Sequence, residues 1–178
     1  TKVVFTESPG SQTFEVQDIP AIAKAAHEAG AVVVLDNTWA TPLFFKSFAH
    51  GADVSIQAAT KYIVGHADAM LGAITASKAV WPAIARTHEE LGLCVGPEDA
   101  YLGLRGLRSL GVRLARHQAS AIALAEWLKN RPEVARVIHP ALPSDPGHAI
   151  WKRDFTGSSG LFAIVLKPAP KKAVAAML

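Results

Sequence analysis

The sequence predicts an α/β fold, and three observations carry that prediction. The 178 residues are 50% hydrophobic and 19% charged, a balance that supplies a core and excludes disorder, collagen-like repeats and a coiled coil. The run Ala31-Val32-Val33-Val34-Leu35 has no polar alternation, as expected of a parallel strand buried on both faces. A stripe at helical spacing precedes that run, and a short strand-like stretch precedes the stripe, which together make a βαβ unit.

Residues 1–5 read as the first strand, which runs into Glu7-Ser8-Pro9-Gly10-Ser11, where Pro followed by Gly signals a turn. Asp18 is the N-cap of the first helix. Pro20 is tolerated in its first turn, and Ile19, Ile22, Ala23 and Ala26 share one face until Gly30 ends it. The strand over 31–35 stops at Asp36. A short helix is expected over 43–49, a strand over 53–58, another over 70–75, and a helix over 77–91 capped by Ser77. Residues 98–130 turn helical, with a break near Gly106 and an amphipathic stretch through Leu114, Ile122, Leu124 and Trp127 that Pro132 closes. Residues 134–138 and 161–166 are strand candidates, and 140–147 is a loop. A domain change falls near Leu107. The part after it has too few strands to close a sheet, and with no starting Met and an apolar run at Leu178, both ends read as cut from a longer chain.

No stretch approaches the roughly 20 apolar residues needed to cross a bilayer, and the first residues lack the pattern of a signal peptide. The single cysteine, Cys94, cannot form an internal disulfide, which favours a reducing cytoplasm. The net charge of +3 is spread thinly; its densest stretch, Arg105 to Arg116, reads as a solvated helix face, not as a nucleic-acid surface. The seven histidines show no metal-ligand spacing, and no Gly-x-Gly-x-x-Gly follows either early strand, which disfavours a metal site and a dinucleotide fold.

In open α/β sheets ligands gather beyond the carboxyl ends of the strands, where Glu7, Asp36 and Thr60-Lys61 fall together. Lys61 follows small residues in Ala58-Ala59-Thr60-Lys61-Tyr62-Ile63-Val64-Gly65-His66. A crowded, weakly polar turn of that kind suits an amine that attacks a carbonyl, although the same spacing also fits an ordinary surface lysine. Asp36 is either a loop cap or the partner of a cation such as a pyridinium nitrogen. Thr60 offers a hydroxyl and a backbone N–H to an anion, or satisfies its own turn. Trp39 and Tyr62 fit aromatic packing better than ligand contact, His66 an orienting hydrogen bond, and Gly157-Ser158-Ser159-Gly160 a turn before the strand at Leu161.

Taken in order, Glu7-Ser8-Pro9-Gly10-Ser11, Asp36-Asn37-Thr38, the Lys61 segment, Arg105-Gly106-Leu107-Arg108-Ser109-Leu110-Gly111-Val112-Arg113-Leu114, His139-Pro140-Ala141-Leu142-Pro143 and Trp151-Lys152-Arg153-Asp154-Phe155-Thr156-Gly157-Ser158-Ser159-Gly160 resemble the pyridoxal-phosphate enzymes of cysteine and methionine metabolism. The likeness covers almost the whole chain and is strongest to the family's bacterial cystathionine β-lyase branch. It implies the three-layer α/β architecture of the aspartate-aminotransferase type (fold type I). Residues 1–106 would be part of the large cofactor-binding domain, and residues 107–178 a linking helix with the first part of the small domain.

The resemblance also implies roles. Lys61 would hold pyridoxal phosphate as a Schiff base and then move the substrate's Cα proton; Asp36 would pair with the ring nitrogen; Thr60 would bind the phosphate. Ser11 would lie near the ring oxygen, where γ-synthases and γ-lyases usually carry Asn, and Ala58 stands where they carry a second phosphate-binding Ser. Both departures resemble the β-lyase branch, which implies β-elimination of cystathionine to homocysteine, pyruvate and ammonia. Ala67 is a further departure, outside the chemistry. A homotetramer built from dimers, a thioether amino acid as substrate, and no membrane or nucleic-acid partner are implied as well. The family's ring-stacking tyrosine and its substrate-carboxylate arginine have no counterpart here, and Arg105, Arg108 and Arg113 do not match that arginine. The 178 residues alone are therefore expected to turn over weakly or not at all.

Overall fold

The computed structural model describes residues 1–177. A four-stranded sheet comprises β1 (Val3–Glu7), β2 (Val32–Asp36), β3 (Val54–Gln57) and β4 (Ala73–Ala76), adjacent in that order. The first three strands are parallel and β4 is antiparallel to β3. Helix α1 (Ile19–Glu28) crosses from β1 to β2. Its N-cap Asp18 accepts from the Ala21 N–H, and Gly30, with φ +70°, turns the chain into β2.

Helix α1 lays Ala23 and Ala26 on Val33, and Ile19 joins Leu35, Phe14, Trp39, Phe45 and Phe155 in a second cluster. β2 is consequently buried on one face only. Val33 and Leu35 are fully enclosed, whereas Val32 and Val34 are half-buried and their neighbours Val3 and Phe5 are 54% and 64% exposed. The expectation of burial on both faces is corrected: among the described residues, α1 covers just one side.

Three other elements differ from expectation. In place of a helix over 43–49 there is a single turn, α2 (Thr41–Phe44), then an extended Phe45 and a 3-10 turn (Ser47–His50). Buried Phe45 is pinned by its carbonyl, which accepts from Asn37 Nδ2 at 3.0 Å. Helix α3 (Trp81–Glu90) starts after Val80, not at a Ser77 cap; Pro82, which lacks an N–H to satisfy, sits in its first turn. β4 begins at Ala73 instead of Met70 because Leu71 is hydrogen-bonded to Thr60 and not to the sheet.

Helix α4 (Pro97–Leu107) and α5 (Leu110–Lys129) meet at an elbow over Arg108 and Ser109, so Arg105 and Arg116 lie on two helices and not on one face. Beyond them, β5 (Val134–Ile138) and β6 (Ala163–Leu166) form an antiparallel pair. Between those strands lies α6 (His148–Asp154), and α7 (Lys171–Met177) follows β6. Leu178 lies outside the described residues. No helix among them is long and apolar enough to cross a membrane.

Candidate active site

The register of the parallel strands sets Glu7 beside Asp36 and Asp36 beside Ile56, so the chain leaves β1, β2 and β3 along one edge. A cavity of about 470 Å³ opens there. The first loop contributes Glu7, Pro9, Gly10, Ser11 and Phe14; the second contributes Asp36, Thr38 and Trp39; the third contributes Ala58, Lys61 and Tyr62. Leu161 closes the wall from the far part of the chain.

Each loop is closed by its own hydrogen bonds. The Ser11 N–H donates to the Glu7 carboxylate at 3.2 Å, and the Thr38 N–H donates to Asp36 at 2.9 Å. Thr38 Oγ1 then accepts from the Ala58 N–H at 2.8 Å, tying the second loop to the third. After β3 the chain folds on itself: Lys61 N–H reaches the Ala58 carbonyl, Val64 N–H reaches Ala59, and Gly65 N–H reaches Lys61. Gly65 takes φ +74°, and the Arg113 guanidinium occupies the space a Cβ would need there. Arg113 also donates to the carbonyls of Ile63 and Gly106. Burial without a carboxylate partner pulls its guanidinium below the ordinary range.

Of the sequence-predicted residues, Lys61, Asp36 and Ser11 come together in this cavity. Lys61 is exposed within it, so the crowding expected from its small neighbours does not enclose it in these residues. Thr60 stands apart. Its Oγ1 donates to the Leu71 carbonyl at 3.2 Å and accepts from the Leu71 N–H at 2.8 Å, and its own N–H donates to that same carbonyl. Both of its donors are engaged, so an anion would have to draw one away from Leu71. His66 makes a hydrogen bond of 2.7 Å between Nδ1 and the Val64 carbonyl.

The aromatic residues do more than pack. Trp39 meets Phe155 edge-on at 6.3 Å and Tyr62 meets His117 at 5.6 Å, yet both also line the cavity. The segment Gly157-Ser158-Ser159-Gly160 is a buried passage and not a surface turn, with both serines fully enclosed. Leu161 was missed as a lining residue because nothing near it in sequence marks it. Phe14 gave no signal either, while Gly10 and Thr38 stood inside motifs already singled out.

The donor set tests what the cavity can hold. One amine, Lys61, and two carboxylates, Asp36 and a Glu7 already held by the Ser11 N–H, with hydroxyl, amide and apolar walls between, suit a flat ligand that carries a carbonyl carbon and a protonated ring nitrogen. Pyridoxal phosphate is such a ligand. A family model described as Cys/Met metabolism PLP-dependent enzyme matches residues 1–178. The chain belongs to this family.

Cystathionine β-lyase MetC of Escherichia coli is 53% identical over 94% of this chain and 43% of its own length. The cystathionine β-lyase of Salmonella typhimurium is 53% identical over 93% of this chain and 42% of its own length. A crystal structure of cystathionine γ-synthase from Xanthomonas oryzae pv. oryzae, in complex with cystathionine, superposes with a TM-score of 0.95 at 36% identity, over 99% of this chain and 46% of that one. The chain thus spans less than half the length of the relatives it matches. Over that span it carries the mixed α/β fold of the family's fold type I enzymes, and the cofactor that goes with membership is pyridoxal phosphate.

Proposed function

We propose that the protein eliminates at the carbon–sulfur bond of a thioether amino acid, cleaving cystathionine with water to homocysteine, pyruvate and ammonia. The observation that carries this reading is the shared cavity of Lys61 and Asp36 at neighbouring strand ends. Bound pyridoxal phosphate supplies an electron sink for the charge that develops at the substrate Cα. Lys61 Nζ, the amine in the cavity, would hold the cofactor through its carbonyl carbon, and as a free amine it would take the substrate's Cα proton and return a proton as the thiol leaves from Cβ. Asp36 would keep a proton on the ring nitrogen, Ser11 would lie near the ring oxygen, and Thr60 would bind the phosphate only by giving up a bond to Leu71.

The choice of β- over γ-elimination is supported by Ser11 and Ala58, both of which line the cavity where γ-enzymes usually carry Asn and Ser. It is supported also by identities above 50% to proteins named β-lyases, against 36% to a γ-synthase. On this reading residues 1–106 belong to the large cofactor-binding domain and 107–178 to the linking helix and the start of the small domain. The whole protein acts in the cytoplasm as a homotetramer of dimers.

The test is the product. Cystathionine given to the holoenzyme should yield pyruvate without 2-oxobutyrate, and Lys61→Ala should lose both turnover and the visible absorption of the lysine-bound cofactor. Accumulation of 2-oxobutyrate would move the assignment to a γ-lyase, and a retained visible band in Lys61→Ala would remove Lys61 from the chemistry.

A further inference from the structure

Two consecutive residues of the far part of the chain are gripped by two aromatic side chains of the cavity. The Gly160 N–H donates to Tyr62 Oη at 3.1 Å, and Trp39 Nε1 donates to the Leu161 carbonyl at 2.8 Å. The partners lie 98 and 122 positions apart in sequence. Tyr62 directly follows Lys61, and Trp39 is three residues beyond Asp36. Each aromatic ring also faces the cavity, and the Leu161 side chain joins them as a wall.

We propose that Tyr62 and Trp39 form a clasp that couples the seating of Gly160 and Leu161 to the loading of the Lys61 cavity, which makes both of them positioning residues. The proposal rests on Lys61 as the cofactor lysine. The passage is braced from behind. A Cβ on Gly157 would lie 2.6 Å from Phe44, the Ser158 N–H donates to Gln118 Oε1 at 2.6 Å, and Gly160 lies against His117. Those braces come from neighbouring side chains that do not touch the cofactor cavity. The two aromatic bonds are different, because each runs from a cavity wall to the backbone of the passage.

A ligand held by Lys61 and Asp36 restricts the backbone next to each of them. That restriction reaches Tyr62 Oη through one peptide unit and Trp39 through the loop closed by Thr38 and Asp36. Linkage makes the effect reciprocal: if loading the cavity steadies the passage, a seated passage tightens loading by the same factor. A bond that only stabilises the fold has no such dependence on the ligand.

Amide hydrogen exchange over residues 157–161, with and without pyridoxal phosphate, tests the clasp in the wild-type protein, Tyr62→Phe and Trp39→Phe. Each variant deletes a single hydrogen-bonding group and keeps an aromatic ring. Loading is expected to slow exchange in the passage several-fold in the wild type and to have little effect there in either variant, with the affinity for pyridoxal phosphate about fivefold weaker in each. Equal slowing in the wild type and Tyr62→Phe overturns the clasp, as does wild-type affinity in both variants. Should Tyr62→Phe not fold, Trp39→Phe decides by the same criteria. Failure of the cofactor reading shows separately, as an unchanged visible band in Lys61→Ala.

Discussion

The turn that carries Lys61 and the passage over residues 157–161 are both irregular backbone in the same site, yet they are held in opposite ways. The turn closes on itself, through hydrogen bonds between residues three to five apart and through Thr60, which makes three hydrogen bonds with Leu71. The passage makes few bonds of its own and is fixed by Trp151, Gln118, Tyr62 and Trp39, which arrive from four other segments. The turn brings its own chemistry in a side chain. The passage brings none, and contributes a wall. A segment that folds from local contacts can be read from its own residues; one that is placed by distant partners cannot.

The largest expected effect comes from pressing on the turn where it cannot yield. Gly106 in α4 lies against the turn's backbone, and an added Cβ would stand 2.1 Å from the Ile63 carbonyl oxygen and 2.4 Å from that of Val64. Overpacking against backbone costs about 3 kcal/mol, offset by about 1 kcal/mol because Ala is the better helix former. Gly106→Ala should therefore lose about 2 kcal/mol in urea unfolding. A loss under about 0.5 kcal/mol would show that the turn gives way, and the contrast with the passage would collapse.

The same change in the passage meets softer surroundings. A Cβ on Gly157 approaches Phe44 Cδ1 at 2.6 Å and Gln118 Oε1 at 2.8 Å, both in side chains that can rotate aside. Gly157→Ala should cost about 1 kcal/mol, chiefly by disturbing the Gln118 bond to Ser158. Should Gly157→Ala prove costlier than Gly106→Ala, the passage and not the turn would be the rigid member of the pair.

This difference also governs what the amino-acid sequence revealed. Asp36 was legible because it ends a strand whose apolar run is contiguous, and parallel pairing sets that end beside Glu7. Lys61, four residues past a β3 that Ser55 and Gln57 interrupt, was marked by the motif around it and not by its strand. Asp18 as an N-cap was legible for the same reason, since its partner is three residues away. Leu161 as a wall and α6 were not, because no local pattern states which distant surface they meet. Ser77 misled: a residue with cap chemistry stood three positions before the N-cap Val80, and Pro82 sits in the first turn of α3. Thr60 gave half of its role. Its hydroxyl, which the motif implies for a phosphate, is held by Leu71, eleven residues on and far enough away to escape notice.

A smaller effect, in pH, sharpens the comparison from the side of the passage. His139 is fully buried against Trp39 and Phe162, with ring centroids 6.5 and 5.6 Å away. Its Nδ1 accepts from the Ala141 N–H at 3.2 Å, which leaves the proton on Nε2. Burial holds its pKa below the ordinary 6.5, with Asp145 opposing weakly. The sign follows from proton counting. Below about 6.5 the unfolded chain takes up a proton that the folded imidazole refuses, so stability is full above that pH and falls as pH drops toward the folded value. Between pH 8 and pH 6 the loss should be under about 1 kcal/mol, the ceiling for one histidine over that range. His139→Gln should flatten the dependence of the urea midpoint over the same interval. Because the imidazole packs on the tryptophan that holds Leu161, acid should speed amide exchange in the passage before it does so in the Lys61 turn. Identical acid responses in the two segments, or an unflattened curve in His139→Gln, would place the proton uptake elsewhere.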